Sequence, residues 1–302
     1  MNETICILMA TFNGRKFVKE QIESIQGQNF ENWELYINDD GSDDGTVEII
    51  QNKCQKDDRI HLLNLRDGRT GQLHNFGKLM KFLKDNRKNF SHIMFSDQDD
   101  IWYKSKISST LEFMKENEVR NSAAMVYTNY EENNYFGDVQ VRYKSSFSQA
   151  SLLVQNWIMG CTLMINDTLL SMALDIPDEA DNHDNWLMLV GLTYGHIYYL
   201  DRVTMLHRLH DNNVTNNFTK RNSFEKIRTF FDNIRSRKKF QLRKKILMEE
   251  VLSINEPVQN ELVKQYLIGI EKKNKISKVL YLKREGFHGL NHHKTLELFL
   301  KV

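Results

Sequence analysis

The chain has 302 residues, 40% of them hydrophobic, and its 41 Lys+Arg and 40 Asp+Glu give a net charge of +1. This predicts a globular protein of one large or two ordinary domains. No apolar stretch approaches the roughly 20 residues that cross a bilayer, and the N-terminus lacks secretory-signal features, so we expect a cytoplasmic protein. Cys6, Cys54 and Cys161 are far apart and odd in number, which argues against a disulfide framework or a structural zinc site.

Apolar runs alternate with helical patterns over the first hundred residues. The predicted strands lie at 4–10, 33–39, 59–65 and 92–97, and the predicted helices between them begin near Val18, Thr46 and Leu73. Strand and helix in this rhythm predict an α/β fold with a parallel sheet and right-handed crossovers.

Each of these predicted strands ends in a polar cluster: TFNG at 11–14, DDGSDDGT at 39–46, RDGRTGQLHN at 66–75 and SDQDD at 96–100. Ligands of open α/β sheets bind outside the carboxyl ends of the strands, so we expect the four clusters to converge. The second cluster is not an EF-hand loop, because Gln51 stands where the bidentate Glu is required. Its Ser42 and Asp44 instead predict a turn that caps a helix.

Asp97, Asp99 and Asp100 place three carboxylates within four residues. Such groups raise one another's energy unless a cation or buried donors compensate them. Mg²⁺ or Mn²⁺ compensates carboxylates in this way, together with the phosphate oxygens of a bound nucleotide. The alternative is a solvated loop that caps a helix beginning near Lys104.

The second part of the chain has a different pattern. We predict strands at 123–129 and 161–165 and an amphipathic helix through 184–195. From about residue 220 the pattern is helical and basic, with 20 Lys+Arg against 9 Asp+Glu in 220–302. The predicted organisation is therefore a domain at 1–219 followed by a basic helical C-terminal region at 220–302.

The four clusters, in their order and spacing, resemble the successive signatures of family 2 glycosyltransferases, which have the GT-A fold. The resemblance covers roughly residues 1–215. It implies a Rossmann-like, mostly parallel sheet flanked by helices, with a donor-binding half at about 1–103 and an acceptor half at about 104–219. By position, the resemblance implies that the nucleotide is contacted by Thr11, Asn13, Asp39 and Asp40. It implies that Gly71 and Asn75 belong to a loop that approaches the donor. It also implies that Asp97 and Asp99 hold a metal ion on the diphosphate.

Two later segments extend the resemblance. NHDNW at 182–186 resembles the family's acidic motif at a helix start, with Asp184 as the catalytic base and His183 where Glu is common. A helix N-terminus would keep Asp184 ionised, although an aspartate there also serves as a simple cap. LHRLHDNNVT at 206–215 resembles the segment that closes over the diphosphate, so that Arg208 would contact phosphate and His210 the metal.

Strand alternation would place His210 on the same face as Arg208 and separate both from His207. From the residues alone, His207 and His210 also form a weak zinc pattern. MGCT at 159–162 resembles the stretch that lines the acceptor pocket. Trp102, Trp157 and Trp186 are candidates either for stacking on sugars or for the core.

The implied function is inverting, metal-dependent glycosyl transfer. SDQDDIW with HDNW most resembles bacterial rhamnosyltransferases, which implies dTDP-L-rhamnose as donor and a lipid-linked polysaccharide intermediate as acceptor; a UDP-hexose is the alternative donor. A sugar nucleotidyltransferase would need a Gly-rich phosphate loop after the first strand, where TFNGRKF has one glycine. A non-catalytic sugar-binding protein would not need Asp97, Asp99 and Asp184 together.

The basic C-terminal region predicts peripheral attachment to an anionic membrane surface, at the inner face of the cell membrane, rather than nucleic-acid binding. In a helical arrangement, one apolar face would carry Phe224, Ile227, Phe231 and Ile234. The positive charge would come from Arg228, Arg235, Arg237, Lys238 and Lys239.

Overall fold

The computed structural model describes residues 3–65, 68–86, 90–133, 139–142, 148–210, 237–254, 256–289 and 292–302. The chain divides into two compact units. The first consists of Met1–Ser145, Ile158–Gly191 and Gly195–Arg208, and the second consists of Ser146–Trp157, Leu192–Tyr194 and Leu209–Val302.

The first hundred residues form the predicted alternation of strands and helices. In chain order the elements are β1 (Ile5–Thr11), α1 (Val18–Gln26), β2 (Trp33–Asp39), α2 (Thr46–Cys54), β3 (Ile60–Leu63), α3 (Gly71–Asp85) and β4 (His92–Ser96). The side chains of β1 from Ile5 to Met9 are almost completely buried, as expected for a parallel strand covered on both faces.

These four strands pair in parallel, in the order β3-β2-β1-β4. Thr11 lies opposite Asp39, and Met9 lies opposite Ser96. The register therefore brings the carboxyl ends of β1, β2 and β4 to one edge of the sheet, where the polar clusters begin.

The rest of the sheet is mixed rather than parallel. Its elements are β5 (Ile101–Trp102), α4 (Lys106–Asn117), β6 (Ala123–Asn133), β7 (Val139–Arg142), β8 (Leu163–Asn166), α6 (Asp167–Met172) and β9 (Gly195–His207), with α5 (Gln149–Val154) between β7 and β8. Strand β8 is antiparallel to β4 and β6, and β9 runs parallel to β6 and antiparallel to β5. The α/β class and the two strands predicted near 123 and 161 are confirmed.

Two local predictions are wrong. Helix α7 (His183–Tyr194) is not amphipathic, because every residue except the half-buried Asn185 is buried; a helix that is apolar all round belongs in a core. Strand β9 ends at His207, where its ladder with β6 also ends; its ladder with β5 ends at Leu206. His210 therefore does not lie on a strand, and alternation does not place it beside Arg208.

The C-terminal region of the second unit is helical, as predicted. Its described helices are α8 (Arg237–Leu252), α9 (Leu262–Glu271), α10 (Lys275–Arg284) and α11 (His292–Lys301). Tyr266 packs edge-on against Phe287, with ring centroids 5.1 Å apart, and Leu282 is fully buried. Among the described residues, no helix has both the length and the apolar character needed to cross a bilayer.

Gly195 marks a close approach between β9 and β6. A Cβ at this position would overlap the carbonyl group of Ala123, which is backbone and cannot rotate away. Gly77, inside α3, offers a matched contrast, because a Cβ there would meet Ile176 Cδ1 at an ordinary 3.7 Å.

We expect Gly195→Ala to lower the free energy of unfolding by about 1–3 kcal/mol, the usual range for overpacking. Gly77→Ala should be neutral or stabilising, because alanine is favoured over glycine in a helix interior by about 0.5–1 kcal/mol. Urea unfolding of both variants measures the difference, and equal effects would contradict the proposed close approach.

Candidate active site

The four polar clusters converge, as the sequence predicts. Gln98 joins the first and fourth clusters, since its side chain accepts from the Phe12 N–H and donates to the Phe12 carbonyl, both at 2.9 Å. Gln72 Nε2 donates to Asp97 Oδ1 at 2.9 Å and so joins the third cluster to the fourth. Arg69 lies over the Phe12 ring, 3.8 Å from its centroid.

Asp39 organises the edge between β1 and β2. Its Oδ1 accepts from Thr11 Oγ1 at 2.9 Å and Ser42 Oγ at 2.6 Å, while its Oδ2 accepts from the N–H groups of Gly41 and Ser42. Asn13 joins this group, because its N–H donates to Ser42 Oγ and its Oδ1 accepts from the Asp43 N–H. Three of the predicted nucleotide-contacting residues therefore lie together.

Asp40, Gly71 and Asn75 hold α3 in place. The buried carboxylate of Asp40 accepts from the N–H groups of Thr70 and Gly71, the latter at 2.7 Å, and stabilises the positive end of the helix. Gly71 has φ +80°, which favours glycine. Asn75 exchanges hydrogen bonds with Asn38 at the end of β2. The structure gives these residues a framework role, and their contact with a donor stays a prediction.

Asp97 and Asp99 are both half-buried in the loop after β4. Burial and the neighbouring charges of Asp100 and Asp99 raise the pKa of Asp97 well above its usual value. Such a shift means that negative charge at this position is poorly compensated by the chain itself. Two carboxylates on one short loop form a hard oxygen donor set that fits Mg²⁺ or Mn²⁺.

Asp100 points into the core rather than toward this donor set. It is completely buried, and its Oδ1 lies 2.8 Å from Nδ1 of His207. Burial alone would lower the pKa of His207, but the hydrogen bond to Asp100 and the nearby carboxylates raise it to about 9. The hydrogen bond therefore stabilises the protonated imidazole. The hydrogen bond to Asp100 accounts for the presence of His207 at this position, so a zinc site shared with His210 is not needed to explain this histidine.

Arg208 holds the main chain of the acidic loop. Its Nε donates to the Asp99 carbonyl at 2.6 Å and one terminal nitrogen donates to the Asp100 carbonyl at 3.2 Å. The guanidinium also pairs with Glu20 of α1. The predicted contact of Arg208 with phosphate is not tested by these bonds. His210 lies beyond the end of β9 in the second unit, and its binding to a metal also stays a prediction.

Asp184 lies in the first turn of α7, where it is 8% exposed and accepts from the Gly160 N–H at 3.1 Å. Its charge adds to the electrostatic effect on Asp97. His183 is buried against Phe76 and Phe95, with ring centroids 4.0 and 5.1 Å away, and burial lowers its pKa to about 3. A group that weakly basic is a poor proton acceptor, and the role of Asp184 as catalytic base stays a prediction.

The three tryptophans considered for sugar stacking, Trp102, Trp157 and Trp186, are at most 6% exposed, which favours a core role. Sequence reasoning did not single out several residues of the site: Gln72, Gln98, Glu20 and Gly160. Gln72 lies in the cluster at 66–75 and Gln98 in the cluster at 96–100, so their positions in these clusters could have indicated a place in the site. Glu20 and Gly160 act through contacts that no local pattern indicates.

Comparison with known proteins agrees with this geometry. A family model described as "Glycosyl transferase family 2" matches residues 6–166. The dTDP-rhamnosyl transferase RfbG of Shigella flexneri is 31% identical over 216 residues, covering 68% of this chain and 72% of RfbG. The putative teichuronic acid biosynthesis glycosyltransferase TuaG of Bacillus subtilis is 27% identical over 220 residues, covering 70% and 82%.

The fold is also found in solved structures. The S. aureus TarS 1-349 structure in complex with UDP-GlcNAc has a TM-score of 0.62 at 14% identity, over 93% of this chain and 80% of that one. This likeness confirms the expected GT-A fold. The family model spans more than half of the chain and reaches from β1 to the end of β8, and the chain therefore belongs to glycosyl transferase family 2.

Proposed function

We propose that this glycosyltransferase moves L-rhamnose from dTDP-L-rhamnose to a hydroxyl group of a lipid-linked polysaccharide intermediate, with inversion at the anomeric carbon and with Mg²⁺ or Mn²⁺. The observation that carries the proposal is the convergence of acidic side chains at one edge of the sheet. The half-buried Asp97 interacts electrostatically with Asp99, which is also half-buried, and with the more deeply buried Asp184. The match to RfbG supports the donor. The UDP-GlcNAc in the TarS structure supports the alternative of a UDP-hexose.

The nucleotide would bind over the edge formed by Thr11, Asn13 and Asp39. The hydrogen bonds of Asp39 to Thr11 and Ser42 fix its carboxylate before any ligand arrives. Asp40, through its bonds to Thr70 and Gly71, sets the loop that would approach the diphosphate. Such fixed polar groups lower the entropic cost of binding a flexible donor.

Asp97 and Asp99 would hold the divalent cation, with Arg208 and His210 as further diphosphate and metal contacts. When bound, the cation supplies Lewis-acid stabilisation of the leaving diphosphate. Asp184 would take the proton of the acceptor hydroxyl as that oxygen attacks the anomeric carbon from the face opposite the diphosphate. The hydrogen bond from the Gly160 N–H orients the carboxylate.

The first test replaces the base. Asp184→Asn keeps the size of the side chain but removes its basicity, so we expect kcat to fall about 10²- to 10⁴-fold with little change in donor KM. Steady-state kinetics of sugar transfer measures both constants.

Asp167→Asn is the matched control, because Asp167 is an exposed aspartate in the first turn of α6. It should keep normal turnover. A kcat of Asp184→Asn close to that of the unaltered chain would assign the base to another group.

A second test identifies the donor. Ligands that bind the folded state raise its stability by mass action, by about 2.7 kcal/mol at one hundred times Kd. With Mn²⁺ present, we expect dTDP-L-rhamnose to raise the melting temperature more than UDP-glucose or GDP-mannose at equal concentrations. Thermal melting with each sugar nucleotide measures this. A larger shift with UDP-glucose would favour the alternative donor, and equal shifts would contradict a base-selective site.

Attachment to an anionic membrane would bring the enzyme to a lipid-linked acceptor. The whole apolar face predicted at Phe224, Ile227, Phe231 and Ile234 lies outside the described residues. Helix α10 offers a described surface, where Ile276 and Leu280 are 73% and 63% exposed, one turn apart. Lys273, Lys275 and Lys283 are exposed around them. Apolar side chains with a basic rim suit the interface of an anionic bilayer.

We therefore expect the double variant Ile276→Ser and Leu280→Ser to lose most of its binding to vesicles that contain phosphatidylglycerol. Replacing Lys273, Lys275 and Lys283 by Gln should weaken binding to these vesicles, while binding to pure phosphatidylcholine should be weak for every variant. Co-sedimentation measures the bound fraction. Val119→Ser, at an equally apolar residue that is 52% exposed in the first unit, is the control, and a loss of the same size there would contradict a specific surface.

A further inference from the structure

Asp100 stands next to a predicted metal ligand but has a different environment. Asp99 is half-buried, whereas Asp100 is completely buried and bonded to His207 across 107 positions of sequence. A buried carboxylate is costly unless it is paired and hydrogen-bonded. The hydrogen bond to His207 therefore offsets part of the cost of burying Asp100 where the acidic loop enters the core.

His207, the last residue of β9, and Arg208, which follows it, both form hydrogen bonds to the acidic loop. His207 binds the Asp100 side chain, and Arg208 binds the carbonyl groups of Asp99 and Asp100. The ladder of β5 and β9 continues the same attachment, with Ile101 opposite Leu206. The main chain on either side of the Asp99–Asp100 peptide is thus tied to one strand.

A second buried cation lies behind the pair. Lys106 is fully buried, its Nζ donates to Thr204 Oγ1 at 3.1 Å, and its charge interacts with Asp100. The ligand atoms of Asp100, Cys161 and His207 lie within 4.8 Å of one another, a spacing that a metal ion could also use. Burial lowers the pKa of Lys106 to about 8 and the charge of Asp100 opposes this shift, so a lysine already interacts with the Asp100 carboxylate, which favours a charge cluster over a metal centre.

We propose that Asp100 and His207 form a positioning pair that fixes the Asp99–Asp100 peptide and so holds the Asp99 carboxylate in place for the catalytic cation. Without His207, the Asp100 carboxylate would stay buried and lose its hydrogen bond to the imidazole. The free-energy cost of the buried carboxylate would fall if the loop moved toward water. That movement would carry the Asp99 carboxylate away from its position. This inference rests on the metal-dependent reaction proposed above.

The test measures Mn²⁺ binding to the full chain by titration calorimetry, in the absence of donor and acceptor. We expect His207→Leu to raise the Kd for Mn²⁺ about 10- to 100-fold, the usual effect of losing a group that supports a ligand. His207→Asn should restore much of the affinity, because the amide nitrogen of asparagine can donate from nearly the position of Nδ1. Melting temperatures report folding separately.

His92→Leu is the matched control. His92 is also buried and lies 3.3 Å from a carboxylate, that of Glu118, but it stands at the first residue of β4, the opposite end of this strand from the acidic loop. It should lower the melting temperature and leave the Kd for Mn²⁺ unchanged. An equal rise in Kd for His92→Leu would mean that general destabilisation, not positioning, weakens the site.

Other results would overturn the proposal. An unchanged Kd in His207→Leu, or no recovery in His207→Asn, would defeat the positioning role alone. Stoichiometric zinc in the purified chain that disappears in Cys161→Ser would replace the pair by a metal centre. Absence of Mn²⁺ binding by the unaltered chain would defeat the proposed metal-dependent function itself. If His207→Leu does not fold, Asp100→Asn provides the same Kd comparison, and an unchanged value there counts against the pair.

Discussion

The repulsion between carboxylates at the end of β4 is the constraint on which the site depends. Asp97, Asp99 and Asp100 lie within four residues, and Asp184 adds its charge from the start of α7. The chain compensates Asp100 with His207 and gives Asp97 a neutral donor, Gln72. The pKa of Asp97 stays raised because an amide does not cancel a charge. The same uncompensated charge is what would make a divalent cation bind there, so the cost in the free protein and the proposed function have one origin.

A framework of hydrogen bonds surrounds this charge and consists largely of residues that look like ligand contacts in the sequence. Asp39 and Asp40 are neighbours, yet Asp39 accepts from Thr11 at the end of β1, whereas Asp40 accepts from the Gly71 N–H at the start of α3. Asn75 and Asn38 likewise tie that helix to β2. A site that must hold a flexible diphosphate benefits from loops fixed in advance, because ordering them during binding would cost conformational entropy.

The half of the site built on β1 to β4 could be predicted because its signals are local. Each apolar run is a strand, each following pattern is a helix, and parallel pairing then brings the strand ends together. The half built on β9 could not be predicted in the same way. Strand β5 has only two residues, and the pairing of Asp100 with His207 joins positions that share no periodicity. The amphipathic pattern predicted for α7 is also wrong, because burial on nearly all sides leaves the helix without a polar face.

The start of α7 shows how one residue's burial can decide its neighbour's chemistry. His183 fills an apolar space beside Phe76 and Phe95, and Gly160 permits this because any side chain there would overlap the imidazole. A second carboxylate at position 183 would be unfavourable in such surroundings, since burying an unpaired charge costs more than burying a neutral ring. With His183 neutral and inside, the helix can turn only Asp184 toward the Gly160 N–H. The first turn of α7 thus carries one acidic residue, Asp184, which is the residue proposed as the base.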